Sequence, residues 1–527
     1  MSAPATDRVV VVGAGMVGHR FVEELAARDR AGRFELHLVG AERYEPYNRI
    51  LLTDVLAGRT SMPSLSLAPV PERVEVHRGV RATALDRTER RVLLEDGRSL
   101  PYDRVVLATG ARAFVPRLPG LEQQPQHVHV LRDLDDTRAL LARTANARHA
   151  VVLGGGVLGL EAACGLARRG VAVTVVQNEP QLMAGQLDPA PAAALSGALE
   201  ALGIRVRVGC SVAEVVAAYG ELVAVRLTDG TVMSADLLLV SCGIRAETGL
   251  AADAGLAVDR GVVVGPDLAS PDDARVYALG DCAQPPEGMT GLLAPGWTQA
   301  ERLARSLAGG PAPEQTQPVQ AAQPAAVPDG AGPDIRLKAH GVDLVALGVR
   351  PSRAVAQDRV ISVDDPRGGR HLALVVRGDR LVGATVLGAP EAAAELSVLL
   401  DRQTPVPRDP LVLLTPERRA EEPEPSPVRM PATTTVCRCN GVTKQDIVRA
   451  WEGGAASVED VSSATRATTG CGGCREVVCG IVEWLAASDP TPGSALGPTS
   501  GPTPGPASGP VSVATAADAP AALVARP

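Results

Sequence analysis

Five of the nine cysteines in this 527-residue chain crowd into one short stretch, and four of those form two close pairs. Cys437-x-Cys439 and Cys471-x-x-Cys474 stand thirty-one residues apart. Thiolates grouped in this way are metal ligands. Structural zinc sites favour C-x-x-C on both sides. The tighter C-x-C pair points instead to a [2Fe-2S] cluster, which takes four cysteinates, two per iron. Gly470, Gly472 and Gly473 leave backbone N–H groups free to face sulfur. Zinc, or thiols that hold nothing, are the alternatives. Cys479 lies with Val478, Ile481 and Val482 on an apolar-periodic helix and reads as a buried structural cysteine. The remaining cysteines stand singly, unlike those of a secreted disulfide scaffold.

A second chemistry is carried by glycine. Val9–Gly18 reads VVVVGAGMVG. The valine run suits a buried parallel strand, and Gly13, Gly15 and Gly18 follow at G-x-G-x-x-G spacing. Gly13 permits the tight turn, Gly15 lets the backbone approach a pyrophosphate, and Gly18 lets the following helix (His19 to about Arg28) pack against the strand. The helix start offers unpaired N–H groups to phosphate. A second apolar run, Phe34–Val39, ends near Glu42, a carboxylate placed to hold a ribose hydroxyl pair. The same theme returns at Ala150–Glu161, AVVLGGGVLGLE, with Gly154, Gly156 and Gly159. Two intact units imply two dinucleotides, most simply a flavin and a nicotinamide. The second unit's next strand ends in Gln177 where an acid would favour NADH. Glu179, two residues on, tips the expectation slightly toward NADH over NADPH.

Two further strand ends carry small or acidic residues. Tyr102–Gly110 ends in Ala108-Thr109-Gly110, which allows a ligand close to the backbone. Arg275–Cys282, RVYALGDC, places Asp281 after Gly280, where a carboxylate can accept hydrogen bonds from a ribityl chain if the chain returns to the first unit.

The elements that position these groups alternate strand and helix, so the fold class is α/β. We expect two interleaved Rossmann-like dinucleotide-binding domains, a small α/β domain and a small helical [2Fe-2S] domain. The divisions are 1–117 and 246–308 for the first nucleotide unit, 118–245 for the second, 334–415 for the small α/β domain and 432–488 for the cysteine unit. Pro-rich linkers fall at 309–333 and 416–431, with a Pro/Gly tail at 489–527. A meander at Val74–Leu100 turns at Asp96-Gly97, and helices are expected at Asp133–Arg148, Trp297–Leu307, Pro390–Arg402, Val442–Trp451 and Arg475–Ala487. The small domain shows no catalytic residue and reads as a packing or homodimer element.

Net charge is −8, which disfavours nucleic acid as a partner. No apolar run is long enough to span a membrane, and the N-terminus shows no signal pattern, so a cytoplasmic protein is expected. Lys338 and Lys444 are the only lysines, which excludes a lysine nucleophile earlier in the chain.

Residues 8–307 resemble the pyridine nucleotide-disulfide-oxidoreductase-like flavoproteins through GAGMVG, LATGAR (Leu107–Arg112), GGGVLGLE and VYALGDC, in that family's order. Residues 437–474, CRCNGVT…TGCGGC, are similar to the bacterioferritin-associated ferredoxin-like domain. With AERYEPYNRILL, NEPQLMAGQLD and GLLAPGWTQA, the whole resembles two families: the N-terminal half of NAD(P)H nitrite reductase large subunits, and assimilatory nitrate reductase electron-transfer subunits. The resemblance implies FAD held by Gly13, Gly15, Gly18, Glu42, Thr109, Gly280 and Asp281. It implies NAD(P)H held by Gly154, Gly156, Gly159 and Glu179, and a cluster held by Cys437, Cys439, Cys471 and Cys474. It implies an oxidoreductase passing electrons from NAD(P)H through FAD and the cluster to a separate acceptor protein of nitrate or nitrite assimilation, with no acid–base residue needed. The chain lacks a C-x-x-C or C-x-x-x-x-C redox pair near its first helix, so thiol exchange is not expected. It also lacks the cysteine pairs of a sirohaem domain, so it is not expected to reduce nitrite alone. A reductase of a rubredoxin, ferredoxin or oxygenase system, and a redox or nucleotide sensor, are the alternative readings.

Overall fold

The computed structural model of the chain describes residues 6–309, 334–414, 427–437, 440–470 and 472–488. The expected linkers beyond Gly309 and before Pro427, the tail, Cys439 and Cys471 lie outside the described residues.

Two sheets, parallel throughout except for one antiparallel edge strand in the first, organise the first 300 residues. In the first, the strand Asp7–Val12 lies between Phe34–Gly40 and Arg104–Leu107, parallel to both. Val9, Val10 and Val11 are fully buried, as an all-apolar run must be when both faces of a sheet are covered. Val74–Arg78 forms one edge. Asp273–Ala278 returns from far along the chain to pair with Arg104–Leu107, and Ala269–Ser270 completes the other edge. The second sheet is built between these segments, in the order Arg205–Val208, Ala172–Gln177, His149–Leu153, Leu237–Val240, Val128–His129. The chain leaves the first unit along Ala111–Ala113 and comes back along Ile244–Ala246, and these two strands pair antiparallel as one ribbon. The two units are therefore interleaved in sequence and joined by a narrow connection.

Local sequence explains most element boundaries. Asp133 caps the helix Leu134–Thr144 in a capping box with Asp136, a motif worth about 1 kcal/mol. That helix is shorter than expected, and two others begin a turn early: Met16–Arg28 and Leu293–Leu307. Gly15 is extended (φ −72°, ψ −179°), so helical geometry starts at the next residue. Val74–Leu100 divides in two. Its first strand joins the main sheet, and the rest makes a three-stranded meander that turns at Gly97 (φ +85°).

The small α/β domain is a five-stranded antiparallel sheet with the helix Pro390–Arg402. One of its edges shares a core with the second nucleotide unit: Leu337, Ala339, Val342 and Leu344 pack with Leu160, Ala163 and Leu166. A half-buried carboxylate ties three regions together at this seam. Glu161 accepts hydrogen bonds from Thr53 Oγ1 (2.8 Å) and from the Lys338 N–H (3.2 Å).

The C-terminal unit packs Lys444–Glu452, Val458–Thr465 and Arg475–Ser488 around Ile447, Val461, Val478 and Ile481. The helix expected from Val442 begins at Lys444, because Thr443 and Asp446 form a capping box. The middle helix, capped by Ser457, was not anticipated. Cys479 is half-buried rather than buried. Val478, Ile481, Val482 and Leu485 take the inward face, and position 479 falls beside it.

Candidate functional site

The first glycine loop is shaped by close backbone contact. Gly13 has φ +119°, and a Cβ built there would lie 2.1 Å from the Ala108 carbonyl oxygen. A Cβ on Gly18 would lie 2.0 Å from the Gly13 carbonyl oxygen. Neither position accepts a side chain. Gly15 differs, since the only atom near a Cβ there is an Arg49 nitrogen at 3.8 Å. Gly13 and Gly18 thus hold the turn, and Gly15 leaves open space in front of a helix start that no side chain caps. That is the cradle a pyrophosphate requires.

Glu42 sits at the mouth of this loop. Its Oε2 accepts from Tyr47 Oη (2.6 Å) and its Oε1 from Arg49 (2.7 Å). Arg49 also stacks over the Tyr47 ring, 5.1 Å from its centroid. Burial first, and then the bond to Glu42, push the Tyr47 hydroxyl well above its ordinary range. It is a permanent donor, and it orients the carboxylate.

The returning strand brings Gly280 and Asp281 to the same unit. Gly280 (φ +75°) packs on Val17, and its N–H donates to Gln299 Oε1 at 2.8 Å. Asp281 pairs with Arg132 at 2.7 Å, and Arg132 Nε donates to the Ala111 carbonyl at 2.9 Å. Gly280 and Asp281 border a cavity of about 300 Å³ with Met289, Leu292 and Pro295. Thr109 lies at the base of the connecting ribbon and donates to the Glu247 carbonyl at 2.6 Å.

The second loop repeats the first almost atom for atom. Gly154 has φ +118°, and a Cβ on it would lie 2.1 Å from the Ser241 carbonyl oxygen. A Cβ on Gly159 would lie 2.2 Å from the Gly154 carbonyl oxygen, and Gly156 faces open space. The strand end differs. Gln177 Oε1 accepts the Gly155 N–H at 2.8 Å, so its side chain serves the loop. Glu179 is exposed.

In the C-terminal unit Cys437 and Cys474 are buried within one core. The Thr468 N–H points at Cys474 Sγ (3.3 Å) and Asn440 Nδ2 at Cys437 Sγ (3.7 Å). A hydrogen bond from Cys474 lowers the Cys437 thiol to about 6. Buried sulfurs that already receive N–H donors fit thiolates bound to iron, because such bonds stabilise negative charge on sulfur. Cys439 and Cys471 lie outside the described residues, so two of the four expected ligands are placed.

This unit is docked on the first nucleotide unit. Asn48 Nδ2 donates to the carbonyls of Thr469 (3.0 Å) and Gly470, immediately before Cys471. Arg466 pairs with Glu24 and reaches Glu23 at 3.8 Å, both on the helix of the first glycine loop. Tyr47, Asn48, Arg49, Arg132 and Arg466 were not singled out from sequence. Tyr47-Asn48-Arg49 sits in a stretch without periodicity. It was carried only within the motif AERYEPYNRILL, which marked the resemblance but gave its residues no role.

Duplicated strand–glycine–helix units, interleaved through two sheets, with a thiol unit seated on the first, define a class: a two-nucleotide redox enzyme with an attached metal–sulfur module. The comparisons give the family. Residues 7–317 match the pyridine nucleotide-disulphide oxidoreductase family, to which the chain belongs, and residues 435–484 match the BFD-like [2Fe-2S] binding domain. The chain is 34% identical over 487 residues to a nitrite reductase [NAD(P)H] large subunit of Klebsiella oxytoca. It is 29% identical over 499 residues to an assimilatory nitrate reductase electron transfer subunit of Bacillus subtilis. These alignments cover 91% and 92% of this chain but 49% and 60% of those proteins, so the chain spans about half of the relatives it matches. A ferredoxin reductase structure from Rhodopseudomonas palustris superposes with a TM-score of 0.63 at 26% identity, covering 76% of this chain and 96% of the other. The cofactors are accordingly FAD, NAD(P)H and a [2Fe-2S] cluster, and the glycine cradles and buried sulfurs fit them. Among the described residues, no helix is long and apolar enough to cross a membrane.

Proposed function

We propose that this chain is the electron-transfer component of a nitrate- or nitrite-reducing system, taking electron pairs from NAD(P)H and delivering single electrons to a separate acceptor protein. Flavin supplies the exchange between hydride and one-electron chemistry, and the iron–sulfur cluster supplies a one-electron exit. The chain's own residues bind and align. Gly13, Gly15, Gly18 and the uncapped helix start receive the FAD pyrophosphate. Glu42, held by Tyr47 and Arg49, receives a ribose, while Thr109, Gly280 and Asp281 border the flavin end. Gly154, Gly156 and Gly159 receive the NAD(P)H pyrophosphate, with Glu179 as the exposed carboxylate nearest the strand end. Cys437, Cys439, Cys471 and Cys474 hold the cluster. In this reading 1–117 and 246–308 form the FAD domain, 118–245 the NAD(P)H domain and 432–488 the cluster domain.

The observation that carries the proposal is the seat of Thr469–Gly470 on Asn48. It sets the chain leading into one cysteine pair against the segment that continues from Glu42 and Arg49. The names of the relatives support the nitrogen-assimilation assignment. Similarity to a ferredoxin reductase supports a second reading, reduction of a small redox protein. Anaerobic NADH titration of the purified protein tests the electron path: flavin bleaching followed by a reduced-cluster EPR signal is expected. Bleaching with no cluster signal would refute it. Turnover with a nitrate or nitrite reductase component, against turnover with a ferredoxin or rubredoxin, separates the two readings.

A further inference from the structure

At the edge of the first sheet, two of the chain's eight histidines meet on adjacent strands. His37 lies on Phe34–Gly40 opposite Glu75 of the edge strand Val74–Arg78, and His77 follows Glu75 on the same face. Side chains two apart on a strand share a face, so parallel pairing brings all three together. His37 and His77 are buried, while the Glu75 side chain is 64% exposed. The imidazoles stack with centroids 5.4 Å apart.

We propose that His37 Nδ1, His77 Nε2 and the Glu75 carboxylate form a three-ligand site for a borderline divalent cation, zinc foremost. The geometry argues for it. A tetrahedral ion with bonds of about 2.0–2.1 Å holds its ligand atoms about 3.3–3.4 Å apart. The two imidazole nitrogens, His37 Nδ1 and His77 Nε2, are 3.2 Å apart, and the Glu75 carboxylate faces them with both oxygens, Oε2 at 3.5 Å from His37 Nδ1 and Oε1 at 3.6 Å from His77 Nε2; one ligand atom from each of the three residues lies within 4.8 Å of the others. Two imidazoles and one carboxylate suit zinc, cobalt or nickel rather than magnesium or calcium. The exposed Glu75 side leaves the fourth position to water. His37 also has the partner a metal-bound imidazole needs, since its Nε2 faces Glu35 Oε1 at 3.2 Å.

The groups around the site make a sharper statement. Without the ion the contacts form a relay: Arg98 donates to His77 Nδ1 (3.2 Å), His77 Nε2–H to His37 Nδ1, and His37 Nε2–H to Glu35. The ion replaces the middle proton. His77 then carries its proton on Nδ1, and Arg98 must withdraw to its other partner, Asp96. Arg98, 53% exposed, is free to do so, but it competes with the cation. The site would pin together the two strands whose continuations hold the first loop's rim: the Gly79 N–H donates to the Glu42 carbonyl, and Val80 N–H to that of Gly40.

The test uses the full chain with flavin and cluster in place, treated with a chelator and dialysed against micromolar zinc chloride. Zinc, iron and flavin are then measured per chain. We expect one zinc beyond the iron in the wild type. It should be lost in His77→Ala, bound at least tenfold more weakly in Glu75→Gln and more tightly in Arg98→Gln, with iron and flavin unchanged throughout. Equal zinc in wild type and His77→Ala would overturn the proposal, as would no zinc in the wild type. If His77→Ala fails to fold, the two surface variants decide the matter, and no change of affinity in either of them would refute it. None of these outcomes depends on the electron-transfer reading.

Discussion

The two glycine loops are internal replicas whose environments have diverged. Gly13 and Gly154 share a φ near +119° and the same 2.1 Å approach to a neighbouring carbonyl, and Gly18 and Gly159 close on their loops at 2.0 and 2.2 Å. Backbone sterics set those contacts, and both copies meet them identically. What lies past the strand end is different. The first loop has a carboxylate clamped by a tyrosine and an arginine, with a cysteine-bearing unit seated on Asn48, the residue between those two. The second has an amide turned inward to its own loop and a core shared with the small α/β domain. The replica shows which features any dinucleotide loop needs. In the proposed function, the divergence is what assigns one loop to a resident cofactor beside an electron exit, and the other to a nucleotide that arrives and leaves.

The hardest test of that difference replaces the turn glycines. Gly13→Ala and Gly154→Ala each force a Cβ onto a carbonyl in a left-handed conformation, at a cost of about 3 kcal/mol. Gly13→Ala should yield protein without bound flavin, seen in its absorbance spectrum. Gly154→Ala should keep the flavin but lose NADH-driven bleaching by at least a hundredfold in stopped flow. Flavin loss in both variants would erase the distinction between the loops.

The seat of the cysteine unit supplies the next largest effect. Asn48→Ala and Arg466→Ala remove contacts to Gly470 and Glu24 that lie outside both cradles. Flavin reduction by NADH should keep its rate, while appearance of the reduced-cluster EPR signal in freeze-quenched samples slows about tenfold. An unchanged cluster rate would mean that docking does not set the path.

Much of this organisation is legible in the amino-acid sequence because it rests on sterics. Glycine spacing reports a contact that only hydrogen can occupy, and valine runs report strands covered on both faces. The return of the chain to the first unit at Asp281 was legible only as a condition, supported by the order of the motifs and not by the sterics of Gly280-Asp281. The roles of Tyr47, Asn48 and Arg466 were not legible, although the first two lie in the motif AERYEPYNRILL. Their contacts join residues up to 442 apart in sequence, and a polar side chain in an aperiodic segment carries no sign of its distant partner. The short helix Val458–Thr465 was missed for want of length, since eight residues span barely two turns.

Smaller changes sharpen the contrast at the strand ends. Glu42→Gln keeps the shape but removes the charge that Tyr47 and Arg49 hold. FAD retention should weaken about tenfold, equivalent to ~1.4 kcal/mol, measured by flavin release on dilution. Glu179→Ala removes an exposed carboxylate, so only a two- to threefold rise in KM for NADH is expected. A larger effect there than at Glu42 would reverse the assignment of resident and exchanging nucleotide.

The smallest effect is a pH dependence at the joint between the units. Asp136 accepts the N–H groups of Arg132 and Asp133, and Arg132 reaches across to Asp281. Burial, and then the neighbouring Asp133 charge, raise the Asp136 carboxyl from 3.8 to about 6. Between those values the folded chain keeps a proton that the unfolded chain has released, so this group's contribution to stability falls as pH rises from about 4 to about 6 and is level above. Carboxylates held low by partners, such as Glu24 and Asp236, act in the opposite sense, so the effect is read as a difference. Asp136→Asn should narrow its Tm deficit against wild type as pH goes from 4 to 6, and then run parallel to it. A matching pH slope in wild type and Asp136→Asn would therefore show that the strut from Asp136 through Arg132 to Asp281 does not distinguish the two halves.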